Sequence, residues 1–223
     1  GQSGEFGSIA EKPRRTPVVA ECDVCVIGGS STGVFAAVQA ARLGAKVCLV
    51  EANGFFGGVA TASMVNVWHS TTNTTGEREI IAGLTKEAIE RLKKRDACNV
   101  RGTESVGYEL NTEVLKLELD NLVLEAGVHP FLHTLFVEPA VEDGKPVAAI
   151  IEDKSGRRAI RARFFIDATG DGDFVHRLGV PTYKHDNIQP PTMCAIIRGL
   201  RAIRENHPDF RWNRVIFDPQ YAD

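Results

Sequence analysis

The stretch Cys22–Glu51 constrains this chain more than any other. It opens with Val24-Cys-Val-Ile27, a short apolar run of the kind a strand buried on both faces requires. Gly28-Gly29-Ser30-Ser31-Thr32-Gly33 follows, and then an alanine-rich segment, Val34–Leu43, with small residues at helical spacing. Gly44 suits the end of a helix. Lys46–Val50 reads as a second buried strand, and Glu51 closes it. Strand, glycine turn, helix and strand make a βαβ unit, which commits the surrounding chain to an α/β fold around a parallel sheet.

Each part of this unit has a chemical use. Gly28 permits a tight turn out of the first strand, and Gly33 lets the helix pack closely on the sheet. N–H groups at the helix start, with the helix dipole behind them, favour a pyrophosphate. Glu51, about 20 residues past the turn, can accept hydrogen bonds from both hydroxyls of an adenosine ribose. Its charge disfavours a 2′-phosphate. The pattern is a dinucleotide fingerprint with one departure: Ser30 stands where the second glycine is usual. Its hydroxyl can serve a phosphate oxygen, or its side chain can crowd the site.

Two later motifs bear on which dinucleotide is meant. Asn53-Gly-Phe-Phe-Gly57-Gly58-Val-Ala-Thr61 follows Glu51 directly, and paired glycines permit close backbone approach to a ligand. Phe164-Phe-Ile-Asp-Ala-Thr-Gly-Asp-Gly-Asp173 reads as a buried strand running into a glycine turn. Both turns belong at the carboxyl edge of the sheet, where open α/β folds bind ligands.

VIGGSSTG, E-x5-GGVAT, the run Gly107–Lys116 leading to Glu125-Ala-Gly-Val128, and IDATGDGD occur in one order between about residues 20 and 200. On these motifs the chain resembles the FAD-dependent oxidoreductases of the two-dinucleotide-binding-domain class. More distantly it is similar to the fumarate-reductase-like and tRNA-modifying flavoproteins. The resemblance implies FAD as cofactor and a small organic substrate. It places Gly28, Gly29, Ser30, Ser31, Thr32 and Gly33 around the pyrophosphate and Glu51 on the ribose. Gly57, Gly58, Ala60 and Thr61 would line the path towards the flavin. The backbone near Phe136 would touch adenine, and Ala168, Thr169, Gly170 and Asp171 would close the other side. It also turns the segment after GGVAT towards the flavin, making His69 a candidate proton donor or acceptor, although a structural or solvent-facing role fits that residue too. An NAD-binding dehydrogenase domain would share the first motif but leave GGVAT and ATGDGD unexplained. A non-catalytic scaffold with a weakened cofactor site would account for Ser30.

The rest of the chain sets the layout. Glu79–Arg95 and Asn111–Ala126 carry apolar residues at helical spacing, the second capped by Asn111 or Thr112. Val128–Leu132 reads as a third parallel strand. Leu135–Val141, Val147–Glu152 and Arg158–Ala162 alternate around Asp143-Gly144 and Ser155-Gly156, an antiparallel meander covering one face. The expected fold is therefore a Rossmann-like domain with a central parallel sheet and a β-meander, over residues 18–180. Residues 181–223 are expected to begin a second, substrate or cap domain, broken off at Phe217–Asp223. Gly1–Ser8 reads as a cloning remnant, and the chain to Pro17 as a loose lead-in.

Charge and cysteine usage narrow the function further. Lys and Arg number 26 against 29 Asp and Glu, a net charge of −3, so no overall basic field invites nucleic acid. No apolar run is long enough to span a bilayer. Five cysteines do not make a disulfide scaffold, and with no secretory apolar segment a cytoplasmic location is expected. Cys22 and Cys25, three apart on a strand, should point to opposite faces, while Cys48 and Cys194 read as buried. No histidine group has metal-ligand spacing, so no metal site is expected. Asp171 and Asp173 are expected to fix the glycine turn by local hydrogen bonds. An incomplete second domain would expose apolar surface and favour self-association.

Overall fold

A computed structural model describes residues 7–101, 107–183, 185–192 and 194–211. Part of the N-terminal cloning remnant and all of Phe217–Asp223 lie outside these described residues. The chain divides into two compact units, Gly1–Gln189 and Pro190–Asp223. The second unit carries one short helix among its described residues, Leu200–Asn206.

The first unit runs β1 (Val18–Ile27), α1 (Ser31–Arg42), β2 (Val47–Val50), β3 (Val67–Trp68), α2 (Leu84–Lys93), β4 (Cys98–Arg101), β5 (Gly107–Leu110), α3 (Thr112–Glu125), β6 (His129–Phe131), β7 (Leu135–Glu142), β8 (Lys145–Asp153), β9 (Gly156–Asp167) and α4 (Asp173–Arg177). A six-stranded sheet has the order β6-β2-β1-β9-β8-β7. Its first four strands are parallel, and β9, β8 and β7 pair antiparallel. This is the expected α/β architecture with a meander. The meander is continuous with the parallel sheet, because Gly156–Asp167 is a single strand that pairs with β8 on one side and β1 on the other.

The strand order decides where a ligand can sit. The chain proceeds from β1 outward through β2 to β6, then returns to the far side of β1 as β9. The reversal leaves a crevice at the carboxyl ends of β1 and β9, the topological switch point of such sheets. Small residues on α1 bring it close to the sheet, with Val34, Ala37 and Val38 buried against β1 and β2. Asn111 caps α3, its side chain accepting from the N–H groups of Glu113 and Val114 at 3.1 and 3.2 Å. Leu115, Leu119, Leu122 and Val123 of α3 complete this helix-side core. The other face of the sheet packs Cys25, Ile27, Cys48 and Val50 with Ala149, Ile151, Ile160 and Phe174.

Several expectations are corrected. The helix read over Glu79–Arg95 starts only at Leu84. The N–H groups of Ile80 and Ile81 both donate to the Thr71 carbonyl, and Gly83 takes φ +63° just before the first helical residue. Ile80 and Ile81 are accordingly exposed rather than helical and buried. A three-stranded antiparallel sheet, β3-β5-β4, was not apparent from pattern, since its strands are short and mostly half-exposed. Cys194 is half-buried rather than core.

The cysteines of β1 depart from strict alternation. The consecutive N–H groups of Asp23 and Val24 both donate to the Lys46 carbonyl, at 2.8 and 3.2 Å. The register with β9 runs unbroken through this point, from Cys22 opposite Ala162 to Val24 opposite Phe164, yet the strand changes the face it presents. Ala20 and Cys22 before this point lie on the same face as Cys25 and Ile27 after it. Cys22 and Cys25 therefore share a face, contrary to the alternation rule, and Cys48 joins them.

Candidate dinucleotide cleft

The crevice at the switch point is an open cleft of about 280 Å³. Three strand ends build it: Gly28 and Ser30 after β1, Glu51 to Asn53 after β2, and Ala168, Thr169 and Asp171 after β9. Gly58, Asp173 and the segment Thr134–Phe136 also line it.

Gly28 is required by two constraints at once. It takes φ +98°, and a Cβ there would fall 2.5 Å from the carbonyl carbon of Ala168. The turn out of β1 therefore presses directly on the end of β9. Gly33 serves the predicted helix-to-sheet contact, since a Cβ would lie 3.0 Å from the carbonyl carbon of Gly28 and nearer still to its oxygen.

Ser30 is seated among protein partners. Its φ is −59°, so the backbone there does not call for glycine. The hydroxyl oxygen accepts from the Gly33 N–H at 3.2 Å, capping α1, and the hydroxyl donates to the Ala168 carbonyl at 3.2 Å. Its hydrogen bonds go to protein. The side chain is accommodated because position 58 is glycine: a Cβ there would stand 3.0 Å from that of Ser30.

Glu51 is buried beneath the cleft, and its carboxylate is fixed by three donors. The Gly29 N–H reaches Oε2 at 2.7 Å, while the backbone and side-chain N–H groups of Asn53 reach Oε1 at 2.7 and 2.8 Å. The Glu51 backbone is tied to the chain after β6, its N–H donating to Phe131 and its carbonyl accepting from Thr134. A carboxylate oxygen has two lone pairs, so Oε1 is filled by Asn53 while Oε2, with the Gly29 N–H as its one donor, retains capacity for a ligand hydroxyl. Ser31 and Thr32 occupy the first turn of the twelve-residue α1, where helical N–H groups have no intrahelical partner. A fixed carboxylate beside a helix N-terminus is the donor and acceptor set that an adenosine ribose and a pyrophosphate need, so the residues present fit such a group.

The β9 turn is organised by Asp167, which pattern reading passed over in favour of Asp171 and Asp173. Asp167 Oδ1 accepts from the Thr169 N–H and hydroxyl, and Oδ2 accepts from the N–H groups of Phe174 and Val175 at 2.9 and 3.1 Å. Burial alone would raise its pKa, but the donors from Val175, Thr169 and Phe174 together hold the carboxyl below its usual range. The Asp173 N–H donates to the Thr169 hydroxyl, while Asp171 is exposed on the cleft wall. The signal was available as Asp-x-Thr before a short helix, an Asx-turn spacing.

Of the residues singled out from sequence, Gly28, Ser30, Glu51, Gly58, Phe136, Ala168, Thr169 and Asp171 line the cleft. Gly29, Ser31, Thr32, Gly33, Gly57, Ala60, Thr61 and Gly170 lie outside its wall. Thr61 is buried and donates to the Phe56 carbonyl at 2.8 Å, bracing the GGVAT loop. His69 is exposed at the end of β3 and does not border the cleft. Asn53, Thr134 and Leu135 were missed, because only the pairing of the β2 and β6 ends brings them together. Among the described residues, no group of three or more His, Cys, Asp or Glu side chains is arranged to hold a metal, and no helix is long and apolar enough to cross a membrane.

Comparison with known proteins agrees with this geometry. Residues 23–221 match the family described as FAD dependent oxidoreductase. The mitochondrial dihydrolipoyl dehydrogenase of Schizosaccharomyces pombe is 31% identical over 99 residues, covering 40% of this chain and 19% of that one. Among solved structures, a geranylgeranyl bacteriochlorophyll reductase-like protein from Thermoplasma acidophilum superimposes with a TM-score of 0.52 at 21% identity, over 72% of this chain and 42% of that one. THI4 of Thermovibrio ammonificans gives 0.51 at 20%, over 71% and 61%. At such identities the structural likeness speaks for the fold.

Proposed function

Since this chain belongs to the FAD dependent oxidoreductase family, we propose that the Glu51 cleft seats the AMP half of FAD, in the FAD-binding region of an oxidoreductase acting on a small organic molecule. FAD, when bound, supplies the redox chemistry, and the protein supplies binding, orientation and electrostatics. The observation that carries this reading is the buried Glu51 carboxylate, held by Gly29 and Asn53 with a lone pair of Oε2 to spare at the cleft. A ribose hydroxyl would donate to Oε2, the oxygen that holds only the Gly29 N–H. Ser31 and Thr32 offer N–H groups to the phosphate oxygens, with the α1 dipole favouring the negative charge. Phe136 and Gly58 also line the cleft, where Phe136 would meet the adenine and Gly58 would leave room towards the flavin.

The test begins with a visible absorption spectrum of the purified protein and mass spectrometry of any small molecule released by heat. FAD is then titrated into cofactor-free protein with ADP and FMN as competitors. FAD binding that ADP displaces and FMN leaves intact is the expected result. Displacement by FMN but not ADP would overturn the placement of the AMP half, and tight NAD binding without flavin affinity would favour a dehydrogenase domain.

A further inference from the structure

A ribose brings two adjacent hydroxyls, and the Glu51 carboxylate has room for one. Oε1 is filled by the backbone and side-chain N–H groups of Asn53, so Oε2 alone keeps a lone pair. The second hydroxyl needs another partner. On the β2 side of the cleft, the other polar side chains in the lining are Asn53 and Thr134. Thr134 is buried and donates its hydroxyl to the Leu132 carbonyl at 2.8 Å. Asp171 and Asp173 follow β9, which β1 separates from β2 in the sheet.

Asn53 is exposed at the cleft, and its amide is oriented by chemistry. An ionised carboxylate only accepts, so the amide must turn its NH₂ group to Oε1, at 2.8 Å, and keep its carbonyl oxygen Oδ1 for something else. Among the described residues, none donates to Oδ1. The backbone of residue 53 is tied at both ends, its N–H to Oε1 at 2.7 Å and its carbonyl to the His133 N–H at 3.0 Å. An oriented acceptor on a fixed backbone costs a ligand little ordering when it binds.

We propose that Asn53 is the second ribose contact of the cleft: Oδ1 accepts one hydroxyl of the vicinal diol and Glu51 Oε2 accepts the other. The inference rests on the seating of the AMP half in this cleft. A neutral amide also suits the place electrostatically. The described lining residues include Glu51, Asp171 and Asp173 and neither Lys nor Arg, so an acceptor without charge adds no repulsion towards a pyrophosphate. Divided between two residues, recognition requires both hydroxyls and selects a ribonucleotide over either deoxy form.

The cofactor-free full chain is titrated by calorimetry with ADP, 2′-deoxy-ADP and 3′-deoxy-ADP, as wild type and as Asn53→Ala. The alanine variant keeps both main-chain bonds of residue 53, and a thermal melt checks its fold. Wild type is expected to bind each deoxy analogue about fivefold or more weakly than ADP, since each leaves one acceptor without its hydroxyl. In Asn53→Ala, ADP is expected to lose about fivefold in affinity. One deoxy analogue should then bind as well as ADP does, while the other keeps its full penalty. The hydroxyl whose penalty disappears is the one Asn53 accepts. Penalties that both persist, or that both vanish as they would if Asn53 acted only by holding Glu51, overturn the contact. A wild-type series in which either deoxy analogue matches ADP overturns it without any variant. In all of these outcomes ADP still binds and the cleft reading stands, whereas wild type that fails to bind ADP overturns that reading and the Asn53 contact with it.

Discussion

Replacing Ser30 separates two ideas of what that residue does. If the fingerprint needs glycine at this position, Ser30→Gly should improve dinucleotide binding. The geometry implies otherwise, because φ is −59° and the hydroxyl joins the Gly33 N–H to the Ala168 carbonyl. Ser30→Ala removes an N-cap, which costs about 1 kcal/mol. It also takes a donor from the buried Ala168 carbonyl, adding about 1 kcal/mol more. For a domain of this size about 2 kcal/mol corresponds to a fall in Tm of about 4–8 °C. Ser30→Gly should fall less, since glycine is itself a tolerated N-cap. The assay is a thermal melt of cofactor-free protein, paired with FAD titration of the same variants. Both variants are expected to melt below wild type, and neither to bind FAD more tightly. A tenfold gain in FAD affinity for Ser30→Gly, with Tm unchanged, would refute the reasoning and show that the side chain crowds the site.

Three further outcomes follow from the cleft. Gly28→Ala forces a Cβ against the Ala168 carbonyl at a positive φ, and a loss of about 3 kcal/mol is expected in thermal or urea unfolding. Glu51→Gln sets an amide NH₂ against N–H donors whichever way it turns, since Gly29 and Asn53 supply one to each oxygen; urea unfolding of cofactor-free protein should show a loss of about 2 kcal/mol. Asp167 has a depressed folded pKa, so its contribution is complete above the unfolded value of about 3.9 and is lost as pH falls through the folded one. Asp167→Asn should flatten the acid limb of Tm against pH, and an unchanged limb would assign the acid sensitivity to other carboxylates.

What was legible in the sequence was local. The β1 turn, α1 and Glu51 follow from contiguous residues, each with its own conformational demand. The Asn111 cap and the end of α3 at Gly127 are legible for the same reason. The departures are long-range. The change of face at Asp23 accompanies two hydrogen bonds to the Lys46 carbonyl, and the delayed start of α2 accompanies two to the Thr71 carbonyl. Neither partner is visible from the segment it alters. At the cleft, Glu51 could be identified by type and position, but its clamping by Asn53 and by the chain after β6 required the folded sheet. Asp167 was overshadowed by the more conspicuous acids beside the glycines, although its four hydrogen bonds hold the turn.

The placement of β9 sets an order of events in the making of the molecule. Val24 pairs with Val47 on one side and with Phe164 on the other. During synthesis from the N-terminus, the first contact closes early, while the second waits for nearly the whole domain. Until then β1 is a hydrophobic edge with unpaired backbone groups, open to pairing with another chain. Contacts so distant in sequence also slow folding, because the loop must be closed before they repay it. The strand that covers this edge ends at Asp167, and the next residue, Ala168, forms the cleft wall against Gly28. The nascent chain thus completes the cleft wall in the same step that covers this edge, so if the cleft seats FAD as proposed, FAD added during refolding should trap the closed sheet and suppress misassembly.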